Sequence, residues 1–466
     1  MKQNNLVILS LPFQRLIRSL LSPSLVSFFS RRADIIIVSP FAGISGFNRL
    51  HSSLQIQHLR APSERKLAPV VKWLHRVSTV LRIRGYWFRE RKTLRYYWAN
   101  RHFQARKDGH LKKIPAMLRP GLDLLSWAGG WCGAWRCLEF FYGRKAFQMS
   151  GLERIAQQYR RVILVQAASW GFQDAALGWL GRKHRWFSVL FPYSMDQLFC
   201  NGHLLNDFHL VCAQGKHEIR WARQFHQIPS ARILSLGSFY LRELSLRKKS
   251  FHIKLGPISP QYLLYAGIAP QYFPRDLELA AVNYLAEVVL YHLGIGWQLS
   301  YRPVCVSSRE ISILSRSLKY RDRVRLQFPG PSSIGLRKYR DSDVQREVNA
   351  LIQGLRQVRI MVTSLTTSLS LEAAQMGIPS VAYFPSSPEL DIRKTRLLLD
   401  ERNRPVGLES VPVATSFSDL GNMVLRLARR SRERDRIARA TRELWYAAKD
   451  NFAQVLDRAI FAPNGS

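Results

Sequence analysis

Six hydroxyl side chains fall within eight positions: Thr363, Ser364, Thr366, Thr367, Ser368 and Ser370. They follow an apolar run, Val358 to Val362, short enough for a buried strand. Good helix formers come next, Leu371, Glu372, Ala373, Ala374 and Met376. Gly377 is placed to close that helix, and Pro379 forbids its continuation. Val381 to Phe384 reads as the following strand. The unit is therefore strand, hydroxyl-rich loop, helix, strand. A helix N-terminus offers N–H groups and a partial positive charge that suit phosphate. The same residues also make an ordinary helix cap.

The elements that would position such a loop recur along the chain. Apolar strands are expected at Ala33 to Ser39, Arg161 to Ala168, Trp186 to Phe191, Leu210 to Ala213, Arg232 to Gly237, Tyr262 to Ile268 and Trp297 to Tyr301. Helices are expected between them, at Gly151 to Tyr159, Ser169 to Leu180, His217 to His226, Leu277 to His292 and Val344 to Leu355. Strands alternating with helices argue for parallel sheets, whose ligands lie at the carboxyl ends of the strands. The loops at those ends hold Gly43, Gly46 and Asn48, then Ser194 and Asp196, then Gly267, then Arg302, then the hydroxyl run. Asp196 is a candidate general base, or a turn-stabilising acid. Asp341-Ser-Asp343 precedes a helix and reads as N-terminal capping, with metal ligation as the alternative.

The chain has 466 residues, enough for two domains, and its 47% hydrophobic content is that of a packed globular protein. Lys and Arg number 70 against 32 acids, a net charge of +38, which speaks to partners rather than fold. Nucleic acid, anionic lipid and phosphorylated substrates are the candidates. The stretch Arg82 to Lys113 holds eleven cations, two acids and seven aromatics. It suits an anionic membrane surface, single-stranded nucleic acid, or a solvated helix with its aromatics inward. No RNA-binding motif or zinc-finger spacing favours nucleic acid. Five scattered cysteines lack a C-x-x-C pair, so neither a zinc site nor a disulfide framework is expected. Leu6 to Phe29 reads as a basic amphipathic lead segment at a membrane surface, or a poorly ordered leader. Leu244 to Pro260 reads as a linker.

The run from the hydroxyl loop through L-E-A-A-Q-M-G-I-P-S-V resembles the donor-nucleotide segment of GT-B glycosyltransferases. A second stretch extends the likeness: S-M-D-Q-L at Ser194 to Leu198, Gly202, Asp207, H-Q-I-P at His226 to Pro229, Arg232 and Gly237. It is similar to bacterial surface-polysaccharide synthesis proteins and, more distantly, to CDP-glycerol glycerophosphotransferases. Met195 and Gln197 depart from the Trp and Asn usual there, and Val304 and Cys305 stand where relatives have a His.

The resemblance implies two Rossmann-like α/β domains facing a cleft. The divisions are a lead segment 1–30, an acceptor domain 31–245, a donor domain 246–430 and terminal helices 431–466, of which Asn451 to Ile460 would cross back onto the first domain. It implies transfer of a sugar or polyol phosphate from a nucleotide-sugar or CDP-polyol donor to a saccharide or lipid-linked acceptor. Glu372 would hold the donor ribose, and the loop Thr363 to Ser370 with Gly267 would lie near the diphosphate. Arg302, with Lys394, would neutralise the leaving group without a metal ion or cofactor. Gly43, Gly46, Asn48 and Ser194 would line the acceptor side, and Asp196 would take the proton. The expected place is cytoplasmic, at the inner face of the cell membrane. A nucleotide-sugar epimerase on the same fold, or a binding protein on a decayed scaffold, are the alternatives.

Overall fold

The computed structural model describes residues 4–13, 16–48, 54, 56–64, 67–89, 128, 132–167, 171–193, 198, 204, 206–250, 261–268, 273–294, 296–304, 308–327, 341–365, 367–387, 390 and 407–462. Seven parallel strands form the first sheet: β1 (Asn5–Ser10), β2 (Asp34–Ser39), β3 (Gln57–Arg60), β4 (Arg161–Gln166), β5 (Phe187–Leu190), β6 (Leu210–Ala213) and β7 (Ile233–Ser235). Their order is β3-β2-β1-β4-β5-β6-β7. Six form the second: β8 (Gln261–Ala266), β9 (Trp297–Arg302), β10 (Val324–Leu326), β11 (Val358–Ser364), β12 (Ser380–Tyr383) and β13 (Val413–Ala414). Their order is β10-β9-β8-β11-β12-β13. In each sheet the order turns back beside the first strand, between β1 and β4 and between β8 and β11. Loops leaving such a pair diverge to opposite faces and open a crevice.

Helices cover both faces, so the central strands are apolar throughout, as buried parallel strands must be. Leu6, Val7, Ile8 and Leu9 are fully buried, and Ile8 pairs with Ile36 on one side and Leu164 on the other. This corrects the reading of Leu6 to Phe29 as a lead segment on a membrane. The stretch supplies the central strand β1 and two helices, Ile17–Leu20 and Pro23–Ser30. Pro23 does not break the second helix; it opens it, where the missing N–H is no loss. The expected linker also changes: helix Phe239–Ser250 enters it and buries Leu244.

After helix Ser431–Leu444 the chain crosses to the first sheet. Trp445 bridges to Gly215, and Ala447 to Ser238. The approach leaves no room for side chains beneath it: a Cβ on Gly215 would stand 2.3 Å from the Leu444 carbonyl oxygen. Phe452, Leu456 and Ile460 then bury against the core that holds Val7, Leu9 and Phe28.

A helix pair flanks the first sheet, Pro69–Arg89 and Ala134–Ala146. His75 lies between them, with its Nδ1 3.2 Å from the Tyr142 hydroxyl and its ring against Phe172. Burial lowers its pKa from 6.5 to about 4, with Arg82 and Arg76 adding to the effect and Glu64 opposing it. The unfolded chain therefore takes up a proton that the folded chain refuses. His75 contributes stability above pH 6.5, lost as pH falls towards 4. The loss is at most about 3 kcal/mol. Urea unfolding across that range should give a shallower pH slope for His75→Gln than for the parent, by one proton.

Removing residues 1–11 should abolish folding, since it deletes β1 from the middle of the sheet. A soluble product with the parent's circular dichroism and cooperative melt would contradict that. Ile8→Ala should cost about 2–5 kcal/mol of stability in the same melts.

Candidate functional site

The crevice of the second sheet collects most of the residues that the sequence singles out. Pairing sets Ala266 beside Arg302 on one side and Thr363 on the other, so three loops start together. The Gly267 amide donates to the Arg302 carbonyl at 2.9 Å. Under Gly267 lies Glu278, from helix Arg275–Val288, and it is fully buried. A Cβ at position 267 would stand 1.9 Å from Glu278 Oε1, so only glycine leaves the carboxylate its place.

Glu278 Oε1 accepts from the Tyr301 hydroxyl at 2.6 Å and from the Arg275 guanidinium at 2.8 Å. The Ile268 backbone also bonds this carboxylate. Burial pushes the Glu278 pKa up, opposed by Arg275 and Tyr301. The Arg275 guanidinium reaches on to Glu310 at 3.0 Å and to the Val304 carbonyl at 2.8 Å. One buried ion pair thus ties the loop after β8 to the loop after β9. These residues carry no motif; the only sequence signal was acids early in a helix that follows a Gly loop.

On the β11 side the hydroxyls divide by role. Thr363 donates to the Leu365 carbonyl, and Ser364 lies 2.7 Å from the Tyr265 hydroxyl; both are fully buried. Their side chains shape the loop. Leu365 adopts φ +64°, a left-handed conformation that is strained for a leucine. Thr367 caps helix Ser368–Gln375 by accepting from the Leu369 amide at 3.1 Å, and its carbonyl accepts from Ser370. Ser368 is exposed, and the buried Ser370 hydroxyl has no hydrogen-bond partner among the described residues. Glu372 lies in the second turn, not the first, and is 9% exposed. Thr366 and Lys394 fall outside the described residues.

At the crevice of the first sheet, Gly43 takes φ +95° and its amide donates to Asn48 Oδ1 at 3.2 Å. Gly46 and Asn48 lie in the short helix Ser45–Asn48. Ser194 and Asp196 fall outside the described residues. The floor here is a polar chain that sequence reasoning missed. Ser10, closing β1, donates to Asp174 at 3.0 Å, and Gln173 donates to Ser10 and to the Val38 carbonyl. Gln166, closing β4, donates to the Asp174 carbonyl and accepts from Asn206. Arg182 bonds Asn206 at 2.9 Å and Glu139 at 3.0 Å. The H-Q-I-P stretch ends a helix: Gln227 takes φ +54°, and His226 donates to the Leu198 carbonyl at 2.8 Å.

Asp341 opens helix Asp341–Leu355, where capping places it. Among the described residues no group of three His, Cys, Asp or Glu side chains could hold a metal ion. Of the basic stretch, residues 90–113 lie outside the described residues. Arg82 is not on the surface: it is 1% exposed, and burial lowers its pKa to about 10 against the pull of Glu139.

Glu278→Gln should cost about 3–5 kcal/mol by leaving Arg275 half-paired. Gly267→Ala should be severe alone and milder on a Glu278→Ala background, where the space is free. Chemical unfolding of the four proteins should give a coupling of about 1 kcal/mol or more. Strict additivity would mean that residues 267 and 278 do not share that space.

No protein-family model matches the chain, and no curated protein matches it in sequence. Its fold is similar to a putative UDP-N-acetylglucosamine 2-epimerase from Listeria monocytogenes, at 11% identity over 97% of this chain and 95% of that one, with TM-score 0.52. It is similar to S. aureus MnaA solved with UDP, at 10% identity over 98% and 96%, with TM-score 0.50. The lipopolysaccharide outer core galactosyltransferase WaaB in its apo form matches at 11% identity over 98% and 99%, with TM-score 0.45. With two parallel sheets of Rossmann order, the chain has an α/β GT-B fold.

Proposed function

We propose that the chain transfers a sugar or polyol phosphate from a nucleotide-activated donor to a saccharide or lipid-linked acceptor. The observation that carries this is the β8/β11 crevice, where the Gly267 loop, Arg302 and the Thr367-capped helix converge. A crevice of that kind is where open α/β sheets take nucleotides, and a protein of the same fold, S. aureus MnaA, was solved with UDP.

In this reading the acceptor hydroxyl loses its proton to Asp196 as its oxygen bonds to the donor carbon or phosphorus. The bond to the nucleotide's phosphate oxygen breaks, and the charge that develops there meets Arg302 and the tip of helix Ser368–Gln375. Glu372 faces the ribose, and no metal or cofactor takes part. A CDP-polyol donor is the narrower form of the proposal. Epimerisation of a nucleotide sugar is the second reading, favoured by the likeness to the Listeria protein; it needs the same nucleotide pocket but no acceptor.

Titration with UDP and CDP should give saturable binding, weakened about tenfold or more by Glu372→Ala. Asp196→Asn should abolish transfer and spare donor binding, since an amide accepts no proton. Equal nucleotide affinity in Glu372→Ala would remove the ribose assignment. Deuterium entering the donor sugar in D2O without an acceptor would replace transfer with epimerisation. An absence of nucleotide binding would leave the decayed scaffold.

The same proposal places the first domain on an anionic membrane. Val70, Trp73, Phe140 and Phe141 are exposed. Contacts Ser78 to Trp135 and His75 to Tyr142 set the flanking helices antiparallel, and the Phe140 and Phe141 rings lie 6.0 Å apart. Arg144 and Lys145 follow on the same helix and are exposed. Among the described residues no helix is long and apolar enough to cross a membrane. Each cation near an anionic leaflet adds about 1 kcal/mol, screened by salt. Sedimentation with phosphatidylserine vesicles should occur at low salt and fall in Trp73→Ser/Phe141→Ser. Preference for single-stranded DNA over vesicles of matched charge would make the partner nucleic acid.

A further inference from the structure

The amino-terminal edge of the first sheet holds a cavity of about 460 Å³, where β4 and β5 begin. It lies at the opposite end of those strands from the crevice, so the proposed transfer does not use it. Its size is that of a small-molecule site. Three arginines line it, Arg160, Arg161 and Arg185, and one acid, Glu153.

The acid is already neutralised. Glu153 Oε1 takes Lys183 at 2.6 Å and His184 at 2.7 Å. Arg161 donates to the Ala462 carbonyl at 3.2 Å and lies over the Phe187 ring. The guanidinium groups of Arg160 and Arg185 have no acceptor among the described residues. His209 adds a directed donor. Its Nδ1 accepts from the Ser188 amide at 3.0 Å, which leaves the proton on Nε2.

Arg185 supplies a separate observation. It takes φ +55° at the turn from helix Phe172–Lys183 into β5. That conformation costs an L-residue about 1–2 kcal/mol and costs glycine almost nothing. The turn closes the helix, with the Trp186 amide donating to the Gly181 carbonyl at 2.8 Å, and an arginine there carries a backbone cost that glycine would avoid while its exposed side chain has no partner among the described residues. Guanidinium forks match phosphate oxygens two at a time, and a neutral imidazole N–H adds a third direction.

We propose that this cavity binds a small phosphate-bearing molecule, with Arg160 and Arg185 clamping the phosphate and His209 Nε2 donating to it. The site is separate from the nucleotide crevice.

The probe is inorganic pyrophosphate on the full chain, at fixed ionic strength. Arginines are modified with phenylglyoxal and located by peptide mass spectrometry. Pyrophosphate should protect Arg160 and Arg185 several-fold while leaving exposed Arg144 and Arg316 as reactive as before. Calorimetry should lose this binding event in Arg160→Ser and in Arg185→Gly. The second variant guards against misfolding, because glycine relaxes the strained turn and should raise the melting temperature while removing binding. Protection spread evenly over exposed arginines, or an isotherm unchanged in both variants, would overturn the proposal.

Discussion

The contact on which the two sheets depend is the crossing of Trp445 to Ala448 over Gly215 and Gly237. Gly237 takes φ +88°, and a Cβ there would lie 2.7 Å from the Ala447 carbonyl oxygen, so backbone meets backbone with nothing between. Trp445 turns inward and shares a core with Trp221, Leu190 and Val211 of the first sheet and with Leu371 and Ala382 of the second. His217 stacks on Trp445 and pairs with Glu409 at 2.8 Å. The consequence reaches the crevice: Leu371 belongs to helix Ser368–Gln375, so the helix that presents Thr367 also packs on the first domain.

The two crevices share a construction. Each has a buried polar floor joining the ends of the two strands at its switch point. In the first sheet it runs from Ser10 on β1 through Asp174 to Gln166 on β4. In the second, Tyr265 on β8 meets Ser364 on β11, and Tyr301 on β9 meets Glu278. Buried carboxylates are costly unless bonded, so such floors hold only when every partner is in place. That requirement fixes loop positions more tightly than apolar packing would, and it stiffens the rim from below.

Apolar periodicity made the long central strands legible, because a strand buried on both faces leaves an unbroken apolar run. Leu210–Ala213 matches to the residue. It failed for β1, where Leu6 to Leu11 merges with the equally apolar helices that follow and the whole resembled one amphipathic segment. It failed for β3, whose Gln57–Arg60 are only partly buried at the sheet edge, and for β13, two residues long. At the site, composition disclosed the hydroxyl run but not its direction. Thr363 and Ser364 still belong to the strand, and both found partners inside the fold. Glu278 was illegible for another reason: its meaning comes from Gly267 and Tyr301, and nothing local announces that meeting.

The charge balance gains meaning from where the acids lie. Glu139, Asp174, Glu218, Glu278 and Glu372 are all buried. Asp174 and Glu278 are held by hydrogen bonds within the floors, and Glu139 by Arg182. Acids committed inside cannot offset cations outside. Of the arginines, Arg82 alone is as deeply buried among the described residues. Among the described residues, burial therefore withholds five acids against one arginine, which tilts their exposed charge further positive. A field of that sign raises the local concentration of any phosphate-bearing ligand and of an anionic leaflet without choosing between them. Choice has to come from geometry: a glycine loop and a helix tip in one place, an exposed aromatic pair in another, two uncommitted guanidiniums in a third.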